Sequence, residues 1–177
     1  FLVCMAVCNS VEPEEHEDGT VAFLAQSPDE EALCDAARAN GCCLVARTAN
    51  AVTVRDGAGH EHTYEVLATM PFSSERRRMS VLVRRPDGTA VLYIKGADNV
   101  VLPRLSTERS SNSGDTAQDV VAAAQEAAAS CAARGLRVLV LASREVPAGM
   151  LAQWQAEHAR ASRAIGERRE RVAAVFD

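Results

Sequence analysis

Lysine is almost missing from this chain. Of its 19 basic residues, 18 are arginine and one, Lys95, is lysine. Where nearly every cation is a planar fork, a single compact ammonium marks a position to examine. Aromatics are scarce at 4%, so each ring counts as a packing or stacking element. There is no run of 18 apolar residues, which leaves no candidate for a membrane-spanning helix. An excess of positive charge is also missing. The formal net charge is −5, and the acids of Glu12-Pro13-Glu14-Glu15-His16-Glu17-Asp18 account for it. The remainder is neutral, so no general basic field for nucleic acid exists.

Several signatures are absent as well. The cysteines Cys4, Cys8, Cys34, Cys42, Cys43 and Cys131 form no Cys-x-x-Cys, and the four histidines do not join them at zinc spacing. They read as free, buried thiols of a reducing compartment. No Gly-x-x-x-x-Gly-Lys-Ser/Thr, Gly-x-Gly-x-x-Gly, Gly-x-Ser-x-Gly or His-Glu-x-x-His occurs, which sets aside the phosphate loops, nucleophile elbow and zinc-protease helix they encode.

What is present suits one domain: 177 residues, 47% of them hydrophobic, can bury a sizeable core. The 32 alanines favour helix and close packing. The opening Phe1–Cys8 is apolar but short, with neither basic flank nor cleavage site, so it makes a poor signal peptide. Without an initiator Met, the chain is expected to be a piece of a longer one.

Residues 1–11 read as a short helix, followed by a solvated acidic loop and a short strand at Val21–Ala25. Ser27-Pro28-Asp29-Glu30 starts a helix: Ser27 can cap, Pro28 suits the first turn, and Glu30 completes Ser-x-x-Glu. That helix runs to about Asn40, with Ala32, Leu33, Ala36 and Ala37 as its apolar stripe, and Gly41 ends it. Strands are expected at Cys42–Arg47, Ala51–Arg55, His62–Thr69, Met79–Arg85 and Thr89–Ile94, with turns at Asp56-Gly57-Ala58-Gly59 and Pro86-Asp87-Gly88. A short helix follows over Gly96–Leu105, then a mobile Ser-rich loop over Ser106–Thr116. An Ala-rich helix over Ala117–Arg134 closes at Gly135. Leu136–Ala142 reads as a buried strand, and Pro147 opens a last helix through Phe176. The order implies α+β: an antiparallel meander with helices packed on it.

Four constellations can carry chemistry. Ser27-Pro28-Asp29-Glu30 is a capping box that could double as a site at a sheet edge. Met70-Pro71-Phe72-Ser73-Ser74-Glu75-Arg76-Arg77-Arg78-Met79 sets one ring beside hydroxyls and cations, a grouping that can stack a base and steady phosphates or serve as a core Phe in a wet loop. In Tyr93-Ile94-Lys95-Gly96-Ala97-Asp98 a strand delivers the lone Lys to a Gly, where backbone can approach a ligand. Gly135-Leu136-Arg137 brings an Arg to a strand start, or to the carbonyls of a helix end.

Taken in order, Ser-Pro-Asp-Glu-x-Ala-Leu, Phe-Ser-Ser-x-Arg-x-Arg-Met-Ser, Lys-Gly-Ala-Asp and Gly-Leu-Arg resemble the nucleotide-binding domain of the P4-type ATPases, the phospholipid flippases. The match covers nearly the whole chain. Phe1–Val11 resembles the family's first helix and Glu167–Phe176 its exit toward the phosphorylation domain. The resemblance implies a single nucleotide-binding domain over 1–177, taken from a longer membrane ATPase. It implies that Glu30 bonds the adenine amino edge, Phe72 stacks on adenine, and Ser74 and Arg77 lie along the ribose and phosphate side. Lys95 would line the base pocket and Arg137 would pair with phosphates. Arg77 and Glu75 replace the Lys and Asp common there, keeping charge.

The phosphorylated Asp of Asp-Lys-Thr-Gly-Thr is missing, as are the magnesium-binding Asp motifs and the dephosphorylating loop. The resemblance therefore implies a domain that holds Mg-ATP, with the Mg²⁺ ligands elsewhere, and no catalytic residue of its own. Its γ-phosphate would go to an aspartate of a neighbouring domain. The implied partners are ATP, the phosphorylation and actuator domains of the same chain and a membrane accessory subunit. The implied location is the cytoplasmic side of an integral membrane protein, with the isolated domain monomeric. Two other readings stand beside this one: the same domain from a cation pump, and a non-enzymatic α+β interaction module.

Overall fold

The computed structural model describes residues 1–105 and 117–163. The Ser-rich segment Ser106–Thr116 and the chain after Arg163, including Glu167–Phe176 and Arg168, Arg169 and Arg171, lie outside the described residues. In chain order the elements are α1 (Leu2–Val7), β1 (Glu12–Glu15), β2 (Val21–Leu24), α2 (Pro28–Ala39), β3 (Cys42–Arg47), β4 (Ala51–Asp56), β5 (Glu61–Met70), β6 (Arg78–Arg84) and β7 (Ala90–Gly96). Then come α3 (Asp98–Val101), a 3-10 turn at Leu102–Arg104, α4 (Ala117–Ala133), β8 (Val140–Glu145) and α5 (Ala148–Ser162). Six strands, β3 to β8, pair antiparallel in sequence order. This is the α+β meander the turn chemistry called for.

Side-chain alternation along the two central strands divides the core. Met79, Val81 and Val83 of β6 and Val91 and Tyr93 of β7 face the layer formed by α1 and α2, where they meet Val7, Cys8, Cys34 and Ala37. Leu82 and Ala90 point the other way, into a cluster with Met70 and Leu151 and with Trp154 beside it. With both faces covered, β6 is buried from Arg78 to Val83. The period of two also fixes the next odd position: Lys95 lies on the face of Val91 and Tyr93, toward α2. Each fully buried Val or Leu contributes about 1.5–3 kcal/mol, so this register is strongly held.

Four expectations are corrected. The acidic run is not all loop: Glu12–Glu15 form β1, paired with β2. A strand ladder uses main-chain groups, so acidic side chains remain in water while the backbone pairs, and Glu15 reaches Arg55 of the large sheet at 2.7 Å. The α2 stripe is rotated. Its buried residues are Glu30, Cys34 and Ala37, while Ala32 is exposed. The buried strand placed at Leu136–Ala142 begins at Val140 and is the edge strand of the sheet. Leu136 is half exposed, because Gly135 turns the chain at φ 76° and residues 136–139 run free before pairing starts. The helix expected over Gly96–Leu105 is only one turn of α3 and the 3-10 turn after it.

All six cysteines are free thiols. Burial pushes the Cys34 thiol up to about 11, so it behaves as a small apolar group.

Candidate functional site

A cleft of about 750 Å³ opens where the N-terminal end of α2, the C-terminal end of β7 and the segments 71–79 and 137–139 converge. Glu30, Phe72, Arg77, Lys95 and Arg137 all line it. Ser74 does not; it is exposed outside the cleft. Ser10, Asp29, Met79 and Leu139 also line it, and none of these four stood out as a site residue in the sequence.

Glu30 and Lys95 form the floor. The Lys95 ammonium donates to Glu30 Oε1 at 2.5 Å. The Ser10 backbone N–H (2.9 Å) and hydroxyl (2.6 Å) both donate to Glu30 Oε2. Burial pushes the Glu30 carboxyl up. The donors from Lys95 and Ser10 outweigh it, and the group titrates below its ordinary value. The expected capping box is not formed. Ser27 makes no side-chain cap bond, and α2 starts on main-chain bonds from Glu30 and Glu31 to the Ser27 carbonyl. The Glu30 side chain turns inward because a buried ammonium is a stronger partner than a solvated amide.

Phe72 stands at the mouth. It is 61% exposed, so its ring does little for the core. Pro71 ends β5 just before it, and the chain then makes a tight loop in which the Arg77 N–H donates to the Ser73 carbonyl at 2.7 Å. Arg77 itself has φ 51°, a left-handed conformation uncommon for a residue with a side chain. The Ala97 N–H holds the Arg77 carbonyl at 3.1 Å, and the guanidinium donates to Asn99 Oδ1 at 2.7 Å. Strain of this kind collects at functional sites. Gly96 makes the approach possible. A Cβ there would lie 2.7 Å from the Arg77 carbonyl oxygen and 2.7 Å from Arg78 Cβ.

Arg137 lies on the opposite rim, its side chain 85% exposed and 3.1 Å from Asp29 Oδ2. Chemically, the cleft joins an exposed ring, an apolar wall of Met79 and Leu139, a buried ion pair and the guanidiniums of Arg77 and Arg137. That set can take a planar base and an anionic tail. Among the described residues there is no group of three or more His, Cys, Asp or Glu side chains able to hold a metal ion. No helix among the described residues is long and apolar enough to cross a membrane.

Ser10 went unnoticed because it lies just past a short apolar helix, 20 residues before Glu30, with no motif around it. Asp29 was visible only as a member of Ser27-Pro28-Asp29-Glu30, with no role of its own.

A family model described as the P-type ATPase cytoplasmic domain N matches residues 1–171. The chain is 38% identical over 177 residues to the phospholipid-transporting ATPase IK of Mus musculus, covering 100% of this chain and 12% of that protein. It is 35% identical over 177 residues to the phospholipid-transporting ATPase ID of Homo sapiens, 100% of this chain and 14% of that one. It is 36% identical over 173 residues to the phospholipid-transporting ATPase DRS2 of Saccharomyces cerevisiae, 97% of this chain and 12% of that one. The chain thus spans only 12 to 14% of the length of these relatives. With nearly its whole length matched and its α+β sheet in place, the chain belongs to the cytoplasmic N domain family of the P-type ATPases.

Proposed function

We propose that this cleft binds ATP, and that the chain is the nucleotide-binding domain of a phospholipid-translocating P-type ATPase. The observation that carries the reading is the pairing of an exposed Phe72 with a buried Lys95 across one cleft. An exposed aromatic contributes little to folding, and a buried ammonium paired with Glu30 gains little over two apolar residues, so stability alone explains neither. Both fit a base that stacks on the ring and sits over the ammonium.

Phe72 stacks on adenine, with Met79 and Leu139 excluding water. Glu30 bonds the adenine amino edge through its remaining lone pair and holds Lys95. Arg77 and Arg137 take the phosphates. Ser74 would act on the ribose and phosphate side only after a movement of its loop into the cleft. Bound in this way, the γ-phosphate extends from the domain toward an aspartate supplied by a separate phosphorylation domain of the same longer chain. Magnesium travels with the phosphates, and its protein ligands belong elsewhere in that chain.

The relatives' names support a lipid-transporting rather than a cation-transporting whole. In that setting the chain is a cytoplasmic domain of an integral membrane protein that works with actuator and phosphorylation domains and an accessory subunit. Alone it is a monomer that releases no phosphate.

An ATP titration of the 177-residue chain, followed by NMR, tests the reading. The amides of Glu30, Phe72, Lys95 and Arg137 should shift together, and Phe72→Ala should abolish most of the response. Shifts centred on residues 12–18 would overturn it.

A further inference from the structure

We propose that Ser10 is a positioning residue of the nucleotide cleft, fixing the Glu30 carboxylate and through it the Lys95 ammonium. This rests on the nucleotide reading above and adds a residue from a different part of the chain.

The argument begins with the backbone on either side of Ser10. Asn9 is 1% exposed. Its Nδ2 donates to the Met5 and Ala6 carbonyls at 2.8 and 2.9 Å. Its Oδ1 accepts from the Val11 N–H at 3.0 Å and from the Arg47 guanidinium at 2.7 Å. Arg47 Nε then donates to the Val11 carbonyl at 2.8 Å. Residues 9 and 11 are therefore pinned to α1 and β3, and the direction of everything on Ser10 is set between them. Ser10 is itself exposed and lines the cleft. An exposed hydroxyl has water available to it, yet this one lies 2.6 Å from Glu30 Oε2, a short charge-assisted bond.

An ionised carboxylate has about four lone-pair positions. Ser10 takes two with its N–H and hydroxyl, and Lys95 takes a third. Ser10 thereby decides which oxygen faces Lys95 and leaves one position for a ligand donor. Without the hydroxyl, Oε2 keeps a single donor, the Ser10 N–H, and the carboxylate is held less firmly in its place against the ammonium. The charged and titratable groups around Glu30 are Lys95 from β7, Arg47 from β3, Cys8 at the end of α1 and Cys34 on α2, with Asp29, Arg77 and Arg137 lining the same cleft. None of the others donates to Oε2 in place of Ser10.

The test compares Ser10→Ala and Ser10→Thr with the parent chain. ATP affinity is measured by calorimetry, and the Glu30 carboxyl is titrated by carbon NMR without nucleotide. Ser10→Ala should weaken ATP about fivefold, less than the loss of a direct bond to a charged group. It should also move the Glu30 titration to higher pH, and Ser10→Thr should restore both. Ser10→Gly, which also removes the hydroxyl, repeats the measurement if Ser10→Ala does not fold. An unmoved Glu30 titration overturns the proposal, with or without a change in ATP affinity. So does a moved titration with unchanged ATP affinity. If the parent chain binds no ATP, the nucleotide reading fails and takes Ser10's place in it down as well. A Glu30 titration still sensitive to Ser10→Ala would then identify that failure as the ligand's and not the contact's.

Discussion

Lys95 and Glu30 are 65 residues apart in sequence and 2.5 Å apart in space, both nearly out of solvent. Lys95 is delivered by strand alternation and Glu30 by the first turn of α2. A buried pair of this kind gains little over two apolar residues, but an orphaned partner is expensive.

Glu30→Ala should therefore destabilise the chain by about 3–5 kcal/mol, since it strands a buried ammonium. Glu30→Gln should cost about 1–3 kcal/mol, the scale for losing a charged hydrogen-bond partner. A residue that merely completed a capping box would tolerate Gln without loss. The double change Glu30→Leu with Lys95→Met should recover most of the loss. Urea unfolding of the three proteins checks this, and a silent Glu30→Gln would contradict it.

Acid should reveal the same pair. The folded Glu30 carboxyl titrates below its ordinary value. Between the two values the unfolded chain binds more protons, so unfolding free energy falls as pH falls. The contribution is complete above the ordinary carboxylate value of about 4.3. It fades as pH drops through the lowered folded one. Subtracting the Glu30→Gln curve from the parent curve removes the other acids from view. The difference should shrink from pH 5 toward pH 2, and a flat difference would contradict the lowered titration.

Much of this arrangement was legible beforehand, and the failures have physical causes. Strands β3 to β7 followed from turns such as Pro86-Asp87-Gly88 and from alternation such as Val52 and Val54 against Thr53 and Arg55. The cleft was legible as four motifs because each lies at an element end, where short-range patterns are strongest. The inward turn of Glu30 was not, since a capping box and a buried ion pair have the same local sequence. Only the distant Lys95 decides between them. Ser10 was invisible for the same reason. Leu136–Leu139 misled because an apolar run states burial but not its kind: part of it lines a cleft rather than pairing in a sheet.

Phe72 separates binding from stability. At 61% exposure it contributes little to the core, so Phe72→Ala should leave the melting temperature nearly unchanged. ATP binding should weaken by about 1–3 kcal/mol, the scale of one stacked base. Phe72→Trp should keep most of it. Calorimetry with thermal melts checks both, and a large fall in melting temperature would return Phe72 to the core.

The last prediction concerns the rim, where Arg137 rests on Asp29 at 3.1 Å with its side chain 85% exposed. If Arg137 takes a phosphate, the incoming anion must compete with Asp29 for the same guanidinium. An exposed ion pair is worth about 0.2–1 kcal/mol, so the competition is mild and measurable. Asp29→Asn removes the competitor and one negative charge from the cleft mouth. It should tighten ATP by up to about fivefold, the conversion of 1 kcal/mol, and leave adenosine unaffected. Arg137→Ala should weaken ATP, again without touching adenosine, and should barely alter stability. In Arg137→Ala the further change Asp29→Asn should lose most of its effect, because the partner it frees is gone. Calorimetry with ATP and adenosine on the three variants decides the point. Equal effects of Asp29→Asn with and without Arg137 would show that Asp29 acts through its charge on the cleft and not through the guanidinium it holds.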